Sequence, residues 1–252
     1  MKKTCWIIGA SHGIGEALAK NYYAQGFNLA ISARSLEKLE QIKEQFLLSA
    51  KDSSEIFVTK VDVVDVNSLI KAHDEIVKNF GQIDLVIFCS ALYQPTSALN
   101  FDLAIAKQTI DVNLNGFLNL LHVITPQMLK QKSGQIAVIA SVAGYCGLPQ
   151  SFAYGASKAA LINLCEGIYP EMQKQGIAIS VINPGFVKTR LTGKNSFKMP
   201  FIISPESAAD MIVEGLEKKK FEIHFPKKFT FFLKVLRLLP YRVFFFITKK
   251  IT

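Results

Sequence analysis

Cys5-Trp6-Ile7-Ile8-Gly9-Ala10-Ser11-His12-Gly13-Ile14-Gly15 opens with an apolar run of strand length, passes through three glycines, and continues into Glu16–Tyr23, which has helical periodicity. Glycines between a strand and a helix permit a tight turn, close approach of the backbone to a bound group, and close packing of helix on strand. The N–H groups at the helix start favour an anion there. A nucleotide pyrophosphate fits such a cradle; the alternative is a turn that serves folding alone. The spacing is G-x-x-x-G-x-G, distinct from the G-x-G-x-x-G dinucleotide fingerprint.

Outward from this loop, apolar runs recur at Asn28–Ser32, Glu55–Lys60, Leu85–Cys89, Gln135–Ala140, Ala178–Asn183 and Phe221–Phe225, with helix-like stretches between most of them. Ile- and Val-rich strands alternating with helices predict an α/β chain: a doubly wound, Rossmann-like parallel sheet of about seven strands with helices on both faces. Ser204-Pro205-Glu206 marks one helix start, with an N-cap, a proline at the first position and an acid in the first turn. No repeat or linker interrupts the alternation, so residues 1–226 read as one domain and 227–252 as a C-terminal extension. With 252 residues, half of them apolar, the chain can bury a large core. Cys5, Cys89, Cys146 and Cys165 are far apart and lack ligand spacing, which predicts reduced thiols and no metal site. Too few residues precede Cys5 for a signal peptide, so the expected location is cytoplasmic. The net charge of +9 admits nucleic acid, acidic substrates or an anionic membrane surface. Many lysines lie after Lys218 beside an apolar tail, which favours the membrane surface over nucleic acid.

Four more landmarks follow the glycine loop in order. They are Asn113 in Asp-Val-Asn-Leu-Asn-Gly, Ser141 in Ile-Ala-Ser-Val-Ala-Gly, Tyr154-Gly-Ala-Ser-Lys158, and Asn183-Pro-Gly-Phe-Val-Lys-Thr189. Taken together, from Trp6 to about Phe225, they resemble the short-chain dehydrogenase/reductase family. The resemblance implies a nicotinamide-dependent oxidoreductase in which Tyr154, Lys158, Ser141 and Asn113 carry the chemistry. A phenol with an ordinary pKa near 10 needs a nearby cation to serve as a base at neutral pH. Lys158, one helical turn from Tyr154, supplies it, and in the family this lysine also holds the nicotinamide ribose. Ser141 is expected to hydrogen-bond the substrate oxygen, and Asn113 resembles the residue that holds a relay water.

Beside the glycine loop (Gly9, Ser11, His12, Gly13, Ile14 and Gly15), the resemblance implies cofactor contacts from Asp62 and Val63 after the third strand, from Ser90, and from Pro184, Gly185, Val187 and Thr189. The second strand ends without the acid that would bind an unphosphorylated ribose and is followed by Arg34, an arrangement suited to a 2′-phosphate. NADP(H) is therefore the expected cofactor. One departure from the family pattern is Phe88-Cys89-Ser90-Ala91, where relatives usually carry Asn-Asn-Ala-Gly. It keeps open a catalytically weak nucleotide-binding sensor or scaffold.

The segment Leu191–Ile203, with Phe197, Met199, Pro200 and Phe201, is expected to shape an apolar pocket for a small hydrophobic carbonyl or alcohol substrate. Relatives often pair through the helices bearing Asn113 and Tyr154, which implies a homo-oligomer. From Phe229 to Leu239 the tail reads as an amphipathic helix with a narrow polar stripe of Thr230, Lys234, Arg237 and Tyr241. Phe231, Phe232, Val235, Leu236, Leu238 and Leu239 form its apolar face, bracketed by Lys227, Lys228, Lys249 and Lys250. It falls short of the roughly 20 apolar residues needed to span a bilayer. Contact with a membrane surface or a partner subunit is expected, and a third reading makes the tail a membrane anchor and the main functional element.

Overall fold

The structure, a computed structural model, describes residues 2–48, 54–95, 97–194 and 199–249; of the residues singled out above, Phe197 and Lys250 lie outside them. Seven strands, β1 (Thr4–Ile8), β2 (Asn28–Ala33), β3 (Ile56–Lys60), β4 (Leu85–Phe88), β5 (Gly134–Ile139), β6 (Ile177–Pro184) and β7 (Glu222–Phe225), pair in parallel in the order β3-β2-β1-β4-β5-β6-β7. Each matches an expected strand, with ends that differ by at most one residue.

The apolar runs are continuous because both faces of the sheet are covered. Cys5, Ile7, Leu29, Ile31 and Ile87 point to one side, where α1 (Gly13–Ala24), α2 (Leu36–Leu48) and α7 (Pro205–Glu217) bury Leu18, Ile42 and Ile212 against them. Trp6, Ile8, Val86, Phe88, Ile136 and Val138 point to the other. There α3 (Val66–Phe80), α5 (Gly116–Gln131) and α6 (Phe152–Lys174) contribute Ile76, Phe117 and Leu161. The one polar atom of Trp6 donates to Ser32 Oγ at 2.9 Å, which satisfies a group that burial would otherwise penalise. As expected from its sequence, α7 begins with Ser204 accepting from the backbone N–H of Ser207 and with Pro205 in the first turn.

Between α4 (Leu103–Ile110) and α5 the chain forms a π-turn over Asp111–Asn115, a widening of the helix that is frequent at functional sites. Strand order reverses between β1 and β4, so the loops leaving these strands diverge and open a crevice at their carboxyl ends.

The helix expected over Phe229–Leu239 is present, and a second helix follows it. The tail forms α8 (Lys227–Leu238) and α9 (Tyr241–Thr248), broken at Leu239-Pro240, where proline cannot supply the backbone donor a continuing helix requires. Part of the expected polar stripe also points inward. Thr230 is fully buried and hydrogen-bonds His224 on β7 at 2.6 Å, while Lys234 pairs with Glu222 on the same strand. Leu233, Leu236 and Phe244 join the core cluster under α5 and α6. None of the described helices is long and apolar enough to cross a membrane.

Candidate active site

A cavity of about 710 Å³ lies at the carboxyl ends of the strands, at the point where the strand order reverses. Every residue expected to contact a cofactor lines it, from the glycine loop (Gly9, Ser11, His12, Gly13, Ile14, Gly15) through Arg34, Asp62, Val63 and Ser90 to Pro184, Gly185, Val187 and Thr189. Tyr154, Lys158 and Ser141 line it too. Asn113 does not; it lies fully buried behind the wall.

Gly9 and Gly15 in the glycine loop have no room for a side chain. Gly9 adopts φ +91°, and a Cβ there would meet the backbone nitrogen of Ser90 at 2.7 Å; one on Gly15 would meet the Gly9 carbonyl at 2.3 Å. The loop is thus pressed between α1 and the β4 exit, and α1 starts at His12 without a side-chain cap. An uncapped helix start facing a cavity suits an anionic group. Arg190 donates to His12 Nε2 at 2.9 Å, and His12 Nδ1 pairs with Ser11 Oγ at 3.0 Å. Partial burial, then the guanidinium of Arg190, lower the His12 pKa, so the ring is neutral at pH 7 and Arg190 carries the positive charge at this edge. Arg34 is exposed, with no side-chain hydrogen bond or ion pair among the described residues. Asp62 accepts from the Val64 N–H at 3.1 Å, which fixes the turn after β3, and Asn119 on α5 donates to the Val63 carbonyl at 3.0 Å. These features fit a dinucleotide: a backbone cradle for phosphates, an open cation beside the β2 end, and a shaped turn beyond it.

Three elements bring the chemical groups together. Tyr154 and Lys158 share one face of α6, with Lys158 Nζ 5.5 Å from the Tyr154 ring centroid and donating to the Ile139 carbonyl at 2.7 Å. Ser141 leaves β5 and accepts from the Ala143 N–H at 3.1 Å, capping a short 3₁₀ turn. Gly144 lets that turn lie against α6, since a Cβ there would meet the backbone of Lys158 at 2.7 Å. Burial pushes the Tyr154 phenol up to about 12 despite the Ser141 hydroxyl, which favours the ionised form, and Tyr93 adds to the rise. Burial lowers Lys158 to about 7. Lys158 is thus not what sets the Tyr154 pKa here; desolvation dominates both groups.

The Asn113 amide is fully engaged: Oδ1 accepts from Leu92 N at 2.7 Å, and Nδ2 donates to Leu92 O at 3.0 Å and to Ser157 Oγ at 2.9 Å. Ser157 in turn donates to the Tyr154 carbonyl at 2.7 Å. Asn113 therefore joins the π-turn, the β4 exit loop and α6, and its amide protons are not available to a water. It also anchors the loop that follows the departing sequence Phe88-Cys89-Ser90-Ala91. Phe88 is fully buried 5.5 Å from the Phe117 ring, and burial raises Cys89 to about 12, so that thiol is protonated.

Several groups escaped sequence reasoning. The Tyr93 ring lies 4.8 Å from Tyr154, and Lys194 donates to its carbonyl at 2.9 Å. Glu222 accepts from Tyr145 Oη at 2.6 Å, from Asn183 Nδ2 at 3.0 Å, and from Lys234. It ties β7 and α8 to the loop bearing Ser141 and to the segment entering Pro184-Gly185. No spacing signal marks such a link. Arg190 directly follows Thr189, and its basic side chain was the available clue.

The short chain dehydrogenase family model matches residues 3–199. An uncharacterized oxidoreductase of Myxococcus xanthus is 29% identical over 244 residues, which cover 96% of this chain and 94% of that protein. The 3-oxoacyl-(acyl-carrier-protein) reductase of Staphylococcus aureus is 33% identical over 193 residues, covering 76% of this chain and 77% of that one. Among solved structures, an alcohol dehydrogenase of the archaeon Thermococcus sibiricus, complexed with 5-hydroxy-NADP, is 25% identical with a TM-score of 0.80 and covers 89% of this chain and 96% of its own. A short-chain dehydrogenase of Streptomyces avermitilis shares the fold over 100% of this chain and 97% of its own, at 23% identity and a TM-score of 0.82.

Proposed function

Because the chain belongs to the short-chain dehydrogenase family and is an oxidoreductase of CH–OH and C=O groups that uses a nicotinamide cofactor, we propose that it is NADP(H)-specific and reduces an apolar carbonyl substrate. The observation that carries this reading is the convergence of Tyr154, Lys158 and Ser141 on one cavity floored by the glycine cradle. When bound, the dihydronicotinamide supplies the hydride for the carbonyl carbon. Tyr154, protonated at neutral pH with a pKa of about 12, gives its proton to the carbonyl oxygen as negative charge develops there. Ser141 donates a hydrogen bond to the same oxygen. Lys158, once protonated, stabilises the phenolate left on Tyr154 and binds the ribose hydroxyls. Asn113 acts as a positioning residue through Leu92 and Ser157.

Three observations support NADP(H) over NAD(H): the open Arg34 at the β2 end, Arg190 at the neighbouring edge, and the similarity to an alcohol dehydrogenase complexed with a modified NADP. Leu191, Leu92 and Val112 in the cavity wall support an apolar substrate; Met199, Pro200 and Phe201, expected to shape the pocket, are not among the residues that line it. The protein works in the cytoplasm, as a homo-oligomer paired through the helices that bear Asn113 and Tyr154, where Phe152 on α6 and Phe101, just before α4, stand exposed with ring centroids 5.3 Å apart. Its tail makes peripheral contact with a membrane surface.

The test is cofactor oxidation over a panel of ketones of increasing chain length, with NADPH and NADH in parallel. Turnover that rises with apolar length and requires NADPH supports the reading. Tight NADPH binding without turnover on any member would favour a sensor, and equal use of NADH would remove the assignment of Arg34.

A further inference from the structure

We propose that the exposed face of α8 and α9, continuous with the rim of the cavity, docks on an anionic lipid surface and takes the substrate directly from the bilayer. This deepens the reading of an apolar carbonyl substrate and rests on it. The helices bury one set of apolar side chains in the core and hold a second set outward. Thr230, Leu233 and Leu236 are buried, whereas Phe231 and Leu238 are 68% and 82% exposed and Tyr241 is 78% exposed. Phe231, Val235 and Leu238 follow one another at helical spacing, and Tyr241 stacks on Phe245 at 5.7 Å, so the exposed groups form a stripe. A stripe of aromatic and aliphatic side chains of this kind marks an interaction site.

Charge selects the occupant. From Pro226 to the end, the chain holds seven of its 29 basic residues and none of its 20 acidic ones, so the tail carries most of the net charge of +9. Lys227, Lys228, Arg237, Arg242 and Lys249 are exposed beside the stripe. A second copy of the same face would set these cations against one another. An anionic bilayer instead receives the apolar groups in its interface and the cations at its headgroups.

The stripe is joined to the cavity through Phe229. Its ring lies 5.6 Å from Phe186 and 6.5 Å from Phe201. Phe186 stands between the cavity-lining Gly185 and Val187, and Ile203, two residues past Phe201, is tied to that segment by hydrogen bonds with Phe186 and Lys188. Phe201 and Ile202 are themselves exposed. A bilayer meeting α8 therefore also meets the loop that borders the substrate end of the cavity.

The experiment uses the full chain in three forms: wild type, Phe231→Ser/Leu238→Ser/Tyr241→Ser, and Lys227→Glu/Lys228→Glu. Each is sedimented with phosphatidylcholine vesicles, with and without added phosphatidylglycerol, at low and high salt. Its oligomeric state is measured in solution alongside. The expected result is wild-type binding to anionic vesicles, reduced about tenfold or more in each variant, with an unchanged oligomeric state. Turnover of a ketone embedded in those vesicles falls in parallel, while turnover of a water-soluble ketone stays at the wild-type level. Absence of wild-type binding to anionic vesicles, or a triple-serine variant whose assembly dissociates, overturns the docking proposal. Binding as expected with no turnover of either ketone leaves docking standing and overturns the reductase reading.

Discussion

Around the cavity, the strand ends bury apolar side chains on both faces of the sheet and bring polar groups to one edge, where Tyr154, Lys158 and Ser141 meet. In the tail, polar and apolar side chains share the buried face with Leu233 and Leu236, and further apolar groups are left outside. Thr230 and Lys234 point inward to His224 and Glu222 on β7, and Phe231, Phe232 and Leu238 face out. The difference lies in what each region packs against. The central strands are covered by apolar helix faces, so burial of apolar area decides their orientation. The edge strand β7 offers a carboxylate and an imidazole instead. A buried polar group without a partner is costly, so α8 turns its polar residues toward them. Variants in each region test what this contrast means for the residues at the cavity and for those of the tail.

The largest expected effect is in the cavity. Lys158→Met should lower turnover by about 100-fold or more, since the charge that stabilises the Tyr154 phenolate is lost. The same variant carries a pH signature. Burial lowers Lys158 from its ordinary 10.5 to about 7, so between those values the unfolded chain holds a proton that the folded chain does not. Folded stability contributed by this group therefore rises with pH through that window, and unfolding midpoints should show wild type gaining on Lys158→Met between pH 7.5 and 9.5. Parallel slopes would mean that Lys158 keeps an ordinary pKa.

A smaller effect is expected at the cavity edge. Arg34→Asp should weaken NADPH binding by about tenfold or more and shift preference toward NADH, because a bidentate donor is replaced by a charge that repels a 2′-phosphate. Isothermal titration with both cofactors checks it.

The smallest effect belongs to the link between the regions. Lys234→Met leaves the half-buried Glu222 carboxylate without its cation and should cost about 1 kcal/mol at neutral pH, a value discounted for the exposure of both partners. Although burial alone would raise it, hydrogen bonds from Lys234, Tyr145 and Asn183 hold Glu222 below its ordinary 4.5. The contribution is therefore present above that value and lost as pH falls through the lower folded value. The cost of Lys234→Met should fade in acid, and Glu222→Gln in the same background should recover most of it. An equal cost at pH 3.5 and pH 7 would assign the effect to packing of the lysine stem.

Where both faces of an element are covered, its sequence was legible. The seven strands, the glycine loop and the helix start at Ser204 follow from local composition, because burial on two sides leaves continuous apolar runs and a tight turn leaves glycines. The lining residues beyond the glycine loop and Arg34 were named through the family resemblance, and they fall at strand ends. Three features were not legible. The engagement of the Asn113 amide with Leu92 and Ser157 depends on a π-turn that no periodicity announces. Burial raises Tyr154 and lowers Lys158, an effect of packing that one spacing cannot reveal. In the tail, periodicity located the helix, but the direction it faces was decided by Glu222 and His224 on another element, out of reach of any local window.

The account turns on Tyr154 as the proton donor in the cavity. The most direct test measures NADPH binding by cofactor fluorescence and ketone reduction by cofactor oxidation on the same preparation of Tyr154→Phe. The account predicts binding within about threefold of wild type and turnover reduced by about 10²–10⁴-fold. A folded Tyr154→Phe protein that binds NADPH and reduces ketones at close to the wild-type rate would contradict it.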